Sequence, residues 1–440
     1  MALMAAWLTT CVVLGPSYAT GATADDLDPI PGVREFSGRV IAGPRLHAPV
    51  RAEDAAVLRE IGSTGERILI VPAAESDAAF VRRLRAAGAY EYVEPDWLVY
   101  PASTPDDPLF ASQYQHVFME SAAAWSVTTG AASIICAFVD TGFLKLHEDL
   151  TGRFVSGYNS ASRVREIDGG DTTDINGHGT SVAGAACATG NNGLGVAGVN
   201  WGASVMPVRT SNSVGGSAFL TDILDGARWA AENGARVVSV SYNGVSGTSV
   251  QTTGAYLRSI GSQLLWAAGN GRQNMSSSFD WPDVIIVGAT DEIDGRASFS
   301  NYGAPIDVMA PGNNIWTTRS DYGYGQVSGT SFSTPMTAAA LGLILSVRPA
   351  LTPAAAETIL ERSCDDLGDP GEDSVFGWGR VNLRRAVEMA EADWNADGSI
   401  DDFDFFDFLT AFASGNADFN GDTSADDFDY FDFLNAFSRF

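Results

Sequence analysis

Positive charge is scarce in this chain of 440 residues: 26 Lys and Arg face 54 Asp and Glu, for a formal net charge of −28. So acidic a surface would repel phosphate, which excludes nucleic acid as an expected partner. Cysteine is rarer still, with four in all. Cys11 falls in the apolar opening stretch, which leaves Cys136, Cys187 and Cys364 as an odd number in the remainder. Cys136 sits in an apolar run and Cys187 in an Ala-rich one, so buried, inert thiols are expected, with a single disulfide as the open alternative. Beyond the opening stretch no segment is long and apolar enough to span a bilayer.

What is present begins with that stretch. Residues 1–19 are apolar and end in Ser17-Tyr18-Ala19, a small-x-small pattern suited to signal peptidase, with Thr20-Gly21-Ala22 as a second cut. Residues 1–22 are therefore read as a leader, and export follows. No Lys or Arg precedes the apolar run, so an uncleaved anchor that keeps the protein at the cell surface is the alternative to secretion. At this length one large domain with smaller appendages is expected.

Three further regions differ in composition. Residues 36–100 suggest strand, helix, strand, helix, strand: 67–72 as a strand, 76–88 as a helix with Phe80, Leu84 and Ala87 on one face, and 90–100 as a strand interrupted at Pro95. From about 123 to 390, apolar runs at 134–139, 204–209, 235–241, 263–268 and 284–287 alternate with Ala-rich helical stretches. Runs that are apolar throughout suit parallel strands buried on both faces, so the fold class is α/β, a doubly wound parallel sheet. After Glu391 the acid becomes dense.

Four strings in the central region carry chemistry: Val139-Asp140-Thr141-Gly142, Asn176-Gly177-His178-Gly179-Thr180, Ala268-Gly269-Asn270-Gly271 and Gly329-Thr330-Ser331-Phe332-Ser333-Thr334-Pro335. A serine hydroxyl attacks an amide poorly unless a base takes its proton, which makes Ser331 the candidate nucleophile and His178 its base. Asp140 would hold the imidazole tautomer, and Asn270 would donate, with the Ser331 N–H at a helix start, to the oxygen of a tetrahedral intermediate. Pro335 is expected in the first turn of that helix, where its missing N–H costs nothing, followed by a buried helix over 336–346. An α/β-hydrolase is disfavoured because the serine string lacks the second Gly of G-x-S-x-G.

The order Asp, His, Asn, Ser, with these flanking residues, resembles the subtilisin family. The similarity runs from about 105 to 390 and is densest at 295–303, 306–312 and 329–344. The resemblance implies a serine endopeptidase acting on proteins or peptides, with residues 23–102 as an inhibitor-type propeptide and 103–390 as the catalytic domain. Val93-Glu94-Pro95-Asp96-Trp97 and Thr104-Pro105-Asp106-Asp107 look like the family's junction, placing cleavage between about 100 and 104. It also implies that substrate adds as a strand beside Ser241, Tyr242, Asn243 and Gly244, with Gly269 on the other wall of the primary pocket. Tyr242 and Asn243 stand where the family has smaller or more flexible residues. A structural Ca2+ site is implied at Asp107, Asp149 and Asn192, with carbonyls from Gly190, Leu194 and Val196.

Residues 391–440 carry a second calcium pattern. Asp393, Asn395, Asp397, Ser399, Asp401 and Asp404 take positions 1, 3, 5, 7, 9 and 12 of an EF-hand loop with Gly398 at 6. The pattern recurs at Asp418, Asn420, Asp422, Ser424, Asp426 and Asp429, with Thr423 where the turn wants Gly. Each loop leads into a helix, with Phe405, Phe408, Leu409 and Phe412 on one face of the first and Tyr430, Phe433, Leu434 and Phe437 on that of the second. Tandem loops ending in Asp look like dockerin type I modules, which bind cohesin partners; a calcium-folded tail with no dedicated partner is the plainer alternative. A monomer is expected. A catalytically silent scaffold whose tail does the binding is the competing function, and a narrow processing peptidase is the competitor among enzymes.

Overall fold

The computed structural model describes residues 27, 34–44, 57–61, 66–72, 75–99, 104–276, 279–419, 425 and 427–440. The leader, Cys11, the cleavage region up to Ser103 and the second-loop residues Asn420, Asp422, Ser424 and Asp426 lie outside them. The chain forms two compact units, 1–99 and 100–440.

In the first unit, strands β1 (Arg34–Glu35), β2 (Arg39–Pro44), β3 (Val57–Ile61), β4 (Glu66–Ile70), β5 (Tyr90–Pro95) and β6 (Leu98–Val99) accompany helix α1 (Asp77–Ala87). Four of them make an antiparallel sheet in the order β3-β4-β2-β5, and β1 pairs with β6. Ser76 caps α1 by accepting the Ala79 N–H, and Gly88 ends it in the left-handed conformation at φ 68°. Phe80, Val81 and Leu84 bury against Val40, Ala42, Leu69 and Val93. One expectation needs correction. Ala87 is exposed, because the buried stripe runs through Val81 rather than into the last turn. The other expected helix would fall between β2 and β4, where only β3 is described and pairs with β4; the remaining residues of that stretch lie outside the described ones.

The second unit is built on strands β7 (Ile135–Asp140), β8 (Tyr158–Asn159), β9 (Val164–Arg165), β10 (Ser204–Arg209), β11 (Val237–Val240), β12 (Gln263–Ala267), β13 (Val284–Thr290) and β14 (Val308–Pro311), in the order β14-β13-β12-β11-β7-β10-β8-β9. All neighbours are parallel except the β8–β9 hairpin. A second hairpin pairs β15 (Ile315–Thr318) with β16 (Tyr324–Val327). The helices are α2 (Gln115–Phe118), α3 (Ser121–Val127), α4 (His178–Cys187), α5 (Leu220–Glu232), α6 (Thr248–Ser259), α7 (Thr330–Val347), α8 (Pro353–Arg362), α9 (Leu383–Ala392), α10 (Asp402–Ala413) and α11 (Asp427–Phe437). Alternate strand residues feed two cores: Cys136, Phe138, Val237, Leu265 and Ile285 meet α4, α7, α8 and α9 on one face, while Ala137, Val139, Val238, Leu264 and Trp266 meet α5 and α6 on the other. The expected doubly wound sheet is thus present. Cys136, Cys187 and Cys364 are free, buried thiols.

Helix α7 is long and apolar enough to cross a membrane, but it is the buried core helix of this unit. It begins at Thr330, so Pro335 is its sixth residue rather than part of the first turn. The proline therefore does cost a helical bond, the one its N–H would have made to the Ser331 carbonyl.

The C-terminal segment continues directly from α9. Phe408 and Phe433 stack at 4.0 Å between α10 and α11, with Trp394 edge-on to both. The Arg348 guanidinium lies 5.1 Å over Trp394 and donates to the carbonyls of Ala390 and Glu391, tying the start of the first loop to the end of α7. An ion chain runs from Glu120 to Arg384 (2.5 Å), Arg384 to Glu388 (2.7 Å) and Glu388 to Arg439 (3.0 Å).

Candidate active site

Parallel strands present their C-terminal ends along one edge of a sheet, where ligand sites of open α/β folds are built. Asp140 ends β7 there, fully buried, and His178 opens α4 beside it. His178 Nδ1 lies 2.8 Å from Asp140 Oδ1, which also accepts the Thr141 N–H at 2.7 Å. A carboxylate acceptor puts the ring proton on Nδ1 and leaves the Nε2 lone pair free. Burial works against protonation of His178, but the charge of Asp140, its hydrogen bond and the charge of Asp174 together outweigh it and hold the imidazole above its usual 6.5. Phe332 packs against the ring, with centroids 5.4 Å apart.

Ser331 is the second residue of α7 and half-buried. Its hydroxyl points to the Ser241 carbonyl at 3.5 Å rather than to His178. The expected serine-to-histidine bond is therefore not formed in this rotamer; catalytic hydrogen bonds are often long or misaligned without substrate and tighten in its complex. The Ser241 hydroxyl in turn donates 2.9 Å to the Ser331 carbonyl, the acceptor that Pro335 leaves without a helical partner.

Asn270 follows β12 and is exposed. Its Oδ1 accepts the Thr330 N–H at 2.9 Å and the Thr330 hydroxyl at 3.1 Å, which fixes the amide orientation and leaves Nδ2 as the outward donor. Thr330 also accepts the Gly269 N–H at 3.1 Å. Asn301 clamps the same loop: Oδ1 accepts from Gly271 and Gln273, and Nδ2 donates to the Ala268 carbonyl. Neither Thr330 nor Asn301 was assigned a role from sequence, although both stand inside strings that were singled out.

A cleft of about 450 Å3 opens at this edge, lined by Asn243, Gly244, Val245, Ala268, Asn270, Gln273, Asn274, Met275, Phe279 and Asn301 among others, none of them charged. Of the expected substrate segment, Asn243 and Gly244 line it. Tyr242 is fixed instead by its hydroxyl on the Gly216 carbonyl (3.0 Å) and by Trp266 Nε1 on its own carbonyl (2.6 Å). Of the expected second wall, Ala268 and Asn270 line the cleft, with Gly269 between them. At φ 97° and with Asn301 Nδ2 only 2.8 Å from where a Cβ would sit, Gly269 serves as the turn that presents them.

A sequence profile of the Subtilase family matches residues 131–379. The chain belongs to the subtilase family. Over 354 residues it is 33% identical to the thermophilic serine proteinase of Bacillus sp. (strain AK1), spanning 76% of this chain and 84% of that one. Over 289 residues it is 37% identical to thermitase of Thermoactinomyces vulgaris, 65% of this chain and 99% of the relative. Among solved structures, a protease of Pseudoalteromonas arctica PAMC 21717 superposes with a TM-score of 0.58 at 30% identity, covering 66% of this chain and all of that one. The protein is accordingly a subtilisin-like serine-type endopeptidase with a mostly parallel central sheet.

In this subtilase the residues expected to hold calcium are arranged in two ways. Asp107 and Asp149 are both buried and close enough for Asp149 to add to the burial that raises the Asp107 carboxyl. Asp107 Oδ2 accepts the Asn191 N–H at 2.6 Å, while Oδ1 is buried without a hydrogen-bond partner among the described residues. Asp149 accepts from Asn192 Nδ2 and the Val196 N–H, both at 2.9 Å. An orphaned carboxylate oxygen beside a second carboxylate and an amide is a donor set that fits calcium. In the first C-terminal loop, Asp393 accepts the Asp397 and Gly398 N–H groups and Asp404 those of Asn395 and Asp401, with Ala396 at φ 61° and Gly398 at φ 91° shaping the turn. Burial, with the Asp404 and Asp397 charges, pushes Asp393 up to about 6 against its two N–H bonds. Here the carboxylates face main-chain donors, and among the described residues no three His, Cys, Asp or Glu side chains converge as a cage. Of the second loop, Asp418 is exposed and Asp429 is buried, accepting the Phe419 N–H.

Proposed function

We propose that this subtilase is an exported endopeptidase, made as a zymogen, that cleaves proteins through Ser331, His178, Asp140 and Asn270. The observation that carries the reading is the 2.8 Å bond from His178 Nδ1 to a fully buried Asp140, which leaves Nε2 as the base. Ser331 Oγ attacks the scissile carbonyl carbon as Nε2 takes its proton, and Asp140 stabilises the imidazolium. Asn270 Nδ2 and the Ser331 N–H, one of the unpaired donors of the first turn of α7, stabilise the charge on the tetrahedral oxygen. The imidazolium then protonates the leaving amine, and water repeats the sequence on the acyl-enzyme. Substrate lies extended beside Asn243 and Gly244, and the uncharged, amide-rich cleft offers no ion-pair partner to a charged side chain at the primary site.

Residues 23–102 act as the inhibitory propeptide, 103–390 as the catalytic domain and 391–440 as the calcium-loop module, with a cohesin-like protein as its candidate partner. Export is supported by relatives named as extracellular proteases in Xanthomonas campestris and Dichelobacter nodosus. Asp107, Asp149 and Asn192, with carbonyls of Gly190, Leu194 and Val196, would hold one calcium, and the loops starting at Asp393 and Asp418 the others. The ion supplies fixed positive charge that allows carboxylates to be buried together. The test is fluorophosphonate labelling of the secreted protein after propeptide removal. Labelling that disappears in Ser331→Ala is expected; an unlabelled wild-type protein would instead identify a silent scaffold.

A further inference from the structure

Four residues before His178 stands Asp174, to which the four strings assign nothing. Its Oδ1 accepts the Thr141 hydroxyl (2.9 Å) and the N–H groups of Asn176 (3.0 Å) and Gly177 (2.8 Å); its Oδ2 accepts the N–H (2.9 Å) and hydroxyl of Thr180. A carboxylate offers about four lone-pair sites, so this one is saturated and cannot turn without breaking bonds. The donors come from two pieces of chain. Thr141 directly follows Asp140 at the end of β7, whereas Asn176 to Thr180 lead into and form the first turn of α4. The Thr141 hydroxyl closes the circuit by accepting the Gly179 N–H at 3.0 Å.

We infer that Asp174 is a positioning residue for the base of the triad: it locks the first turn of α4 to the end of β7, sets the angle at which His178 meets Asp140, and places a second anion near the ring. The inference rests on the reading of His178 as base. Among the described residues the charges that act on His178 are Asp140 from β7 and Asp174 from its own loop, and α7 packs the uncharged Phe332 on the ring. The Tyr242 phenol feels the same two carboxylates: burial, then Asp140 and Asp174, push its ionisation far up, so that it adds no charge of its own. Asp174 counts, with Asp140, among the charges that hold the imidazolium against burial.

A plain helix cap and a positioning residue part company in kinetics. In Asp174→Asn, kcat per fluorophosphonate-labelled site should fall roughly ten- to hundredfold with KM little changed, as expected for a slight misplacement of a reacting group. The acidic limb of kcat/KM should move to lower pH, because loss of an anion beside the ring lets neutral imidazole persist further into acid. Thr141→Val cuts the strut but keeps the charge, so kcat should fall while the limb stays in place. An Asp174→Asn enzyme with kcat within twofold of wild type and an unmoved limb overturns the inference. If that variant does not fold, full kcat in Thr141→Val overturns it instead. Failure of wild-type Ser331 to label at all would strike the proposed function rather than this role.

Discussion

Ser241→Ala probes how the helix of the nucleophile is assembled. Pro335 removes the N–H that would have satisfied the Ser331 carbonyl, and the Ser241 hydroxyl takes its place at 2.9 Å. Deleting the hydroxyl leaves a partly buried acceptor unpaired, at a cost of about 1–2 kcal/mol, the lower part of the range for such groups. In a unit of this size that is a fall in Tm of roughly 1–3 °C. Calorimetry at one scan rate, in a Ser331→Ala background that prevents self-digestion, measures it without touching the carbonyl in question. The decisive comparison adds Pro335→Ala, which restores a main-chain N–H four residues beyond Ser331. If the geometry is right, Ser241→Ala costs clearly less in that background, with a coupling of about 1 kcal/mol. An equal cost in both backgrounds would refute the reasoning, since the serine would then be stabilising something other than the orphaned carbonyl.

Two further outcomes follow from burial of acidic groups. Burial pushes Glu357 and Glu361, one turn apart on α8, up to about 7, against Arg258 at Glu357 and with Glu357 adding to the effect at Glu361. The folded chain thus holds protons that the unfolded chain releases near the usual 4.5, and stability should fall as pH rises from there to about 7. Glu361→Gln should flatten that decline in a Tm-against-pH series; an unchanged slope rules the residue out. Calcium removal should lower the Tm of Ser331→Ala, each site filled at a hundredfold over its Kd being worth about 2.7 kcal/mol. Asp107→Asn should shrink the difference, and circular dichroism of 391–440 should lose helix in chelator; indifference of both signals to chelator would remove calcium from the account.

Most of the sheet could be read directly, because β7, β10, β11, β12 and β13 are buried on both faces and their runs are apolar throughout. The edges could not. β14 is four residues long and ends in Pro311, tolerable only because it is an edge strand, while β8 and β9 are two-residue strands with no periodicity to detect. In the candidate site, Asp140, His178, Asn270 and Ser331 were readable as candidates because each is an acid, base, amide or nucleophile in a glycine-bearing string. Asp174, Thr330 and Asn301 were not, since each works on partners far along the chain, 33 to 61 residues away in the bonds to Thr141, Ala268, Asn270 and Gly269. Pro335 was misplaced for a related reason: where α7 starts depends on Gly329 and the Asn270 contact, not on the proline.

The ion chain from Glu120 through Arg384 and Glu388 to Arg439 fastens the residue before α3 and the turn after α11 to α9. Losing Arg439 would consequently undo the contact at only one oxygen of Glu388, because Arg384 still bridges the other to Glu120.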